Sequence, residues 1–193
     1  FSFFPSKNLG GFGDGGLITT NDDRLAERIR KLRVHGGRQM YEHEMVGTNS
    51  RLDALQAAVL SAKLPHLSQW TDARRKHAAR YDRAFADNAN VTPPRTLEHN
   101  YHVYNQYTVR VQQRDALKRH LDQAKIGNAI YYPLSLHQQE CFNSLGYRPG
   151  DFPVSERAVS EVLSIPVYPE LTAAEQDEVI NTILGFYTDG GVR

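Results

Sequence analysis

The chain has 193 residues, 40% of them hydrophobic and 23% charged, with a formal net charge of +1. That balance excludes a disordered segment and supplies no basic field for nucleic acid; no apolar run approaches the roughly 18 residues of a membrane span, and no charged-then-apolar leader pattern opens the sequence. The single cysteine, Cys141, excludes an internal disulfide and is expected to pack, the eight scattered histidines argue against a metal site, and a reducing cytoplasm is the expected setting.

The chain opens on Phe1-Ser2-Phe3-Phe4-Pro5-Ser6-Lys7-Asn8-Leu9. Phe1, Phe3 and Phe4 read as the end of a buried strand that Pro5 stops. Gly10, Gly11, Gly13, Gly15 and Gly16 follow, and so many glycines let backbone N–H groups approach a ligand closely. Gly11, Gly13 and Gly16 satisfy G-x-G-x-x-G, but residues 17–20 read as a strand where the dinucleotide fold needs a helix. The motifs that accompany a kinase glycine loop are absent downstream, and a Walker loop places its lysine after the glycines rather than before them. A glycine-rich hairpin beside a solvated lysine stays open on local chemistry alone.

After a short strand over residues 16–20, Asn21 is expected to cap a helix with Leu25, Ile29 and Leu32 on its inner face, ended by Gly36-Gly37. Residues 37–48 have no period and read as a loop. A second amphipathic helix carries Leu52, Leu55, Val59 and Ala62, and Pro65 ends it or opens the next. Residues 72–87 form a long charged helix with His77, Tyr81 and Phe85 every four residues. Asn90-Val91-Thr92-Pro93-Pro94 breaks the pattern and marks a boundary. Beyond it, strands are expected at 102–111, 127–132 and 163–166, with helices at 114–124 and 153–162. Thr172-Ala173-Ala174-Glu175 is a capping box opening a final helix with Val179, Ile183 and Phe186 inward. This last part reads as a small α+β domain.

The run from Ser2 through Lys7 to Gly16, with Thr20-Asn21-Asp22-Asp23 behind it, resembles the cofactor-lysine segment of the DegT family of sugar-nucleotide aminotransferases. The likeness continues through Arg33-Val34-His35-Gly36, Gly47-Thr48-Asn49-Ser50-Arg51-Leu52-Asp53, Tyr132-Pro133-Leu134 and Gly150-Asp151-Phe152-Pro153, in order along nearly the whole chain. The resemblance implies an α/β chain: the C-terminal part of a fold type I large domain that binds pyridoxal 5'-phosphate (PLP), followed by a small C-terminal α+β domain. Residues 1–64 are then the remainder of the large domain, 65–92 a connecting helix and linker, and 93–193 the small domain. Residue 1 falls inside an expected strand, so about half of the large domain is expected upstream, with the aspartate and the aromatic that hold the cofactor ring.

The implied activity is transfer of an amino group, from glutamate as the usual donor, to a keto-sugar linked to a nucleoside diphosphate. The form of residues 3–10 is most similar to members acting at the sugar's C3 position. In the family, the lysine matched by Lys7 bonds covalently to PLP, the serine matched by Ser2 donates to the cofactor phosphate, and the asparagine matched by Asn49 reaches the phosphate of the partner subunit's cofactor. That last role implies a homodimer with a shared active site. Phe4, Pro5 and Leu9 offer Lys7 the apolar neighbours that keep an amine neutral. Asn49 also suits a helix N-cap, and Arg51 suits either substrate phosphate or a pair with Asp53. His35 sits at a helix C-terminus, structural or beside the substrate. Tyr132 and His137 resemble the stretch near the sugar. Lys7 argues against the family's dehydratase offshoot, in which histidine replaces that lysine. A non-catalytic fragment or small-molecule regulatory module is the alternative.

Overall fold

Asp22, one residue beyond the expected Asn21, starts the first helix of this computed structural model, which describes residues 1–188. Its carboxylate accepts from the N–H groups of Arg24 and Leu25 at 2.9 and 3.1 Å, so helix α1 (Asp23–Leu32) begins with two of its orphan donors paired. Arg30 and Lys31 in its last turn suit the negative end of the helix. The chain forms two compact units, Phe1–Ser68 and Gln69–Arg193.

In the first unit, residues 33–50 make an excursion from α1 and return. Its base is closed by a bridge between Val34 and Asn49 and by bonds from His35 N–H to the Thr48 carbonyl (3.0 Å) and from Ser50 N–H to the Arg33 carbonyl (2.9 Å). Lys31 Nζ donates to Glu44 at 2.6 Å, which holds the excursion against α1. Helix α2 (Ala54–Lys63) follows and ends in a 3-10 turn, Leu64–His66, where Pro65 costs no helical hydrogen bond. Leu60 is the one buried large aliphatic side chain among the described residues of this unit.

Two expectations for the N-terminal segment are corrected. Phe1 and Phe4 are 80% and 50% exposed rather than buried. The strand expected over 16–20 is reduced to one bridge, Ser2 to Gly16. A strand is defined by its neighbour; residues 17–20 have the β-branched composition but no pairing strand among the described residues.

The second unit is built on a three-stranded antiparallel sheet of β1 (Val91–Thr92), β2 (Tyr107–Val111) and β3 (Val162–Ile165), in that spatial order. Val91 pairs with Val111, and Tyr107 with Ile165. The alternation in β2 turns Tyr107, Val109 and Val111 into the core. Onto that face pack Ala78, Tyr81 and Phe85 of α3 (Leu67–Phe85), Leu117 and Leu121 of α4 (Arg114–Gln123), and Val179, Ile183 and Phe186 of α6 (Ala173–Thr188). Tyr81 and Tyr107 lie with ring centroids 5.0 Å apart. Their hydroxyls donate to the Pro166 carbonyl and to Asp82, at 2.9 and 2.6 Å. Burial pushes both phenols well above their ordinary range.

The capping box at Thr172 and Glu175 forms as expected: Glu175 Oε2 accepts from Thr172 N–H at 2.8 Å, and Thr172 Oγ1 from Glu175 N–H at 3.2 Å. Helix α5 (Pro153–Glu161) opens on its proline. The strand expected over 102–111 is only Tyr107–Val111, and that over 127–132 is a single bridge from Ala129 to Ser164. The residues before β2 are instead held by Arg74, whose Nη1 donates to the carbonyls of Tyr104, Asn105 and Val167. A guanidinium fixes irregular backbone there in place of a ladder, and its burial lowers its pKa. Cys141 is exposed on the 3-10 turn Glu140–Leu145, which corrects its expected packing role. None of the described helices is long and apolar enough to cross a membrane.

Phe85 is fully buried between α3 and the sheet. Phe85→Ala is therefore expected to destabilise the protein by about 3–5 kcal/mol, read as a lowered urea midpoint at unchanged m-value.

Candidate active site

Lys7 belongs to a loop whose base is closed by its own backbone. Phe3 N–H donates to the Gly15 carbonyl at 2.9 Å, and Gly11 N–H to the Phe3 carbonyl at 2.8 Å. Within the loop, Lys7 N–H donates to the Phe4 carbonyl at 2.9 Å, a tight turn that follows the proline. Gly10 is buried against this turn: a Cβ there would lie 2.3 Å from the Pro5 carbonyl oxygen, so any side chain forces that backbone to shift. Gly11 is buried beside α2, where a Cβ would meet Gln56 Oε1 at 2.8 Å.

The Lys7 side chain is exposed and makes no hydrogen bond or ion pair among the described residues. Phe4 and Pro5 point outward with it, so the apolar enclosure expected around the amine is not formed by these neighbours in the chain. Ser2 lies on the bridge to Gly16, and its Oγ accepts from Phe4 N–H at 3.3 Å. That leaves its hydroxyl proton available to a ligand. A primary amine on a fixed turn, with a hydroxyl donor five residues before it, is a donor set that fits a phosphorylated aldehyde: amine for the carbonyl carbon, O–H for a phosphate oxygen.

Asn49 is exposed on the bridge to Val34. The N-cap of α2 is Asp53, so capping is not the role of Asn49. Arg51 is exposed, and no ion pair joins it to Asp53 among the described residues. His35, three residues past α1, takes a left-handed φ of 66° and lies edge-on to His43 with centroids 6.4 Å apart. Ser2, Lys7, Asn49, Arg51 and His35 all belong to the first unit.

Tyr132 and His137 belong to the second unit. Tyr132 and Tyr131 open into a groove of about 430 Å³ that Thr108, Leu134, Ser155 and Val159 also line, with no charged side chain among the described residues of its walls. His137 is not among the described residues that line this groove. Its Nε2 lies 2.8 Å from Glu156 Oε1, and its ring is 4.7 Å from that of Phe152. Glu156 also accepts from Gly150 N–H at 2.8 and 2.9 Å, so one carboxylate closes the bend between His137 and α5. The Gly150 amide foremost, and then His137, hold its pKa below the usual carboxylate value.

Sequence reasoning missed three residues that shape these sites: Gln56, Lys63 and Glu156. Glu156 had a signal, since an acid in the first turn after Pro153 is placed to bond back to the chain preceding the helix. Gln56 and Lys63 had none, because their partners Phe12 and Gly10 are 44 and 53 residues away.

The chain matches the DegT/DnrJ/EryC1/StrS aminotransferase family over residues 1–184. It is 50% identical over 189 residues to a pleiotropic regulatory protein of Geobacillus stearothermophilus, covering 97% of this chain and 51% of that one. It is 42% identical over 183 residues to the dTDP-3-amino-3,4,6-trideoxy-alpha-D-glucose transaminase of Streptomyces venezuelae, covering 95% and 48%. Among solved structures, S. venezuelae DesV in complex with a ketimine intermediate superposes with a TM-score of 0.93 at 40% identity, covering 97% of this chain and 51% of that one. NtdA of Bacillus subtilis, solved with bound cofactor PMP, superposes with a TM-score of 0.85 at 27% identity, covering 95% and 44%. The chain thus spans about half the length of the curated relatives it matches.

Gly10→Ala is expected to cost about 1–3 kcal/mol, because the Pro5 carbonyl must move to admit the methyl group; urea unfolding measures it. Glu156, with its folded pKa depressed, stabilises the fold above its unfolded pKa of about 4.3 and loses that contribution as pH falls through the folded value. Thermal midpoints between pH 2 and 7 should therefore fall less steeply on the acid side for Glu156→Gln than for the unaltered protein.

Proposed function

The chain belongs to the DegT/DnrJ/EryC1/StrS aminotransferase family, and on that footing we propose that the protein transfers an amino group from an amino-acid donor, glutamate by expectation, to the keto group of a nucleotide-linked sugar. The observation that carries this reading is Lys7 itself: an unpaired, exposed amine on a turn that Pro5 and Gly10 hold rigid. A regulatory role, the reading that the name of the Geobacillus relative suggests, has no use for a free amine so placed.

The cofactor in this reading is PLP, which supplies an electron sink that makes the α-proton of the bound amino compound acidic. Lys7 would hold the cofactor through its amine and, with that amine free, would take up and return the proton of the substrate carbon as base and then acid. Ser2 donates its hydroxyl proton to the phosphate. Asn49 reaches the phosphate held by a second copy of the chain, which makes the working unit a homodimer. Arg51 attracts the negative charge of the nucleotide, and His35, Tyr132 and His137 stand on the sugar side; for His137 the role passes through the bend it closes with Glu156. Residues 1–64 serve as part of the cofactor domain, 65–92 connect, and 93–193 form the small domain. Amination at C3 follows the likeness of residues 3–10, and the Streptomyces relative, whose name specifies a 3-amino sugar, supports it. The cytoplasm is the setting where nucleotide sugars and PLP meet such an enzyme.

The test is absorbance with PLP before and after borohydride reduction, followed by peptide mapping. A reduced pyridoxyl label on Lys7 is expected. Lys7→Ala should abolish the label and lower kcat/KM for a nucleotide-linked keto-sugar by about 10²–10⁴-fold. A protein that takes no label and whose Lys7→Ala variant keeps full activity is not the enzyme proposed.

A further inference from the structure

Two side chains of α2, seven residues apart, reach the loop that carries Lys7. Seven residues make close to two helical turns, so Gln56 and Lys63 stand on one face of the helix about 10 Å apart. Gln56 Oε1 accepts from Phe12 N–H at 2.7 Å, and its amide lies between Gly11 and Gly13, as the near approach of both glycines to it records. Lys63, partly buried, donates from Nζ to the Gly10 carbonyl at 2.5 Å. Neither the Phe12 amide nor the Gly10 carbonyl belongs to a helix or strand, so these side chains supply pairing that the backbone does not.

Gly10 is the residue against which the Lys7 turn rests, since its α-carbon faces the carbonyls of Pro5 and Phe4. A tie on the Gly10 carbonyl is therefore a tie on the turn, and one on Phe12 closes the far side of the same loop. We propose that Gln56 and Lys63 are positioning residues: together they clamp the glycine loop to α2 and so fix the stance of the Lys7 amine. The proposal rests on Lys7 as the residue that bonds to the cofactor. Neither side chain touches the reacting atoms; each acts through the loop backbone. The glycines serve the clamp as much as any ligand, because a side chain at 11 would meet Gln56 of α2 and one at 10 would displace the Pro5 carbonyl of the turn itself.

The experiment compares Gln56→Leu, Gln56→Glu, Lys63→Met and Lys63→Arg with the unaltered protein. Two readouts are taken: the rate at which PLP and borohydride label Lys7, and amide hydrogen exchange in the peptide spanning residues 8–16. Lys31→Met, which removes another lysine tie in the same unit, here to the Glu44 carboxylate, is the control. Gln56→Leu and Lys63→Met should label Lys7 roughly 10- to 100-fold more slowly, as misplacement of a reacting group by about an ångström does, and exchange in 8–16 should quicken. Gln56→Glu keeps an acceptor for Phe12 and Lys63→Arg keeps a donor for Gly10, so both should stay within about threefold of the unaltered rate. Should Gln56→Leu fail to fold, Lys63→Met carries the same comparison, and the Phe12 amide of the unaltered protein must in any case exchange slowly. Unchanged labelling in both truncated variants, an equal loss in Lys31→Met, or a fast-exchanging Phe12 amide overturns the clamp. Absence of label on the unaltered protein with slow exchange in 8–16 overturns the cofactor reading, and with it the role assigned to the clamp, while leaving the hydrogen bonds in place.

Discussion

A peptide N–H or C=O that leaves water must find a partner, and this requirement shapes the chain wherever helix and sheet do not reach. The Gly10 carbonyl is paired by Lys63, the Phe12 amide by Gln56, and the Gly150 amide by Glu156. Arg74 alone serves the carbonyls of Tyr104, Asn105 and Val167, while Arg114 serves those of Val159 and Val162. Each tie fixes a bend that no ladder would hold. The segments so fixed include the loop of Lys7 and the bend between His137 and α5. Loops can present reactive groups because rigid elements hold them, and here long side chains do that holding.

The two units reach order by different routes. In the second, nineteen side chains among the described residues, from α3, α4, α6, the sheet and the loops between them, make one buried cluster that includes Tyr81 and Tyr107, whose hydroxyls are paired. Hydrophobic burial dominates there. In the first, α1 buries no residue and Leu60 stands nearly alone, so backbone closure, the Lys31–Glu44 pair and the glycine contacts with α2 define the arrangement. Such a unit opens more easily than a packed core.

What the sequence made legible follows from what each signal measures. Periodicity and caps are local, so α4, α5 and the start of α6 were readable to within a residue or two, as was the start of α1, which ends at Leu32 rather than at Gly36-Gly37, and the Thr172 capping box was readable outright. Strand patterns record side-chain character, not pairing. Residues 16–20, 102–106 and 127–132 therefore read as strands, although only Gly16 and Ala129 bridge to a neighbour. Lys7 was visible because its motif is contiguous, and Ser2 came with it. Gln56 was hidden: within α2 it reads as one more polar helical residue, and its meaning depends on an amide 44 positions earlier. His137 was visible as a residue but not in its orientation, which Glu156 and Phe152 decide.

The contact between Gln56 and Gly11 has a consequence for inheritance. The glutamine amide that accepts from Phe12 N–H occupies the space that a side chain at position 11 would fill, so positions 11 and 56 share one volume. A lineage that enlarges residue 11 must move the residue 56 amide aside or shorten that side chain, and either change gives up the Phe12 amide. Neither position is then free to drift by itself. The pair can persist as a unit even in descendants whose groove beside Tyr132 has changed.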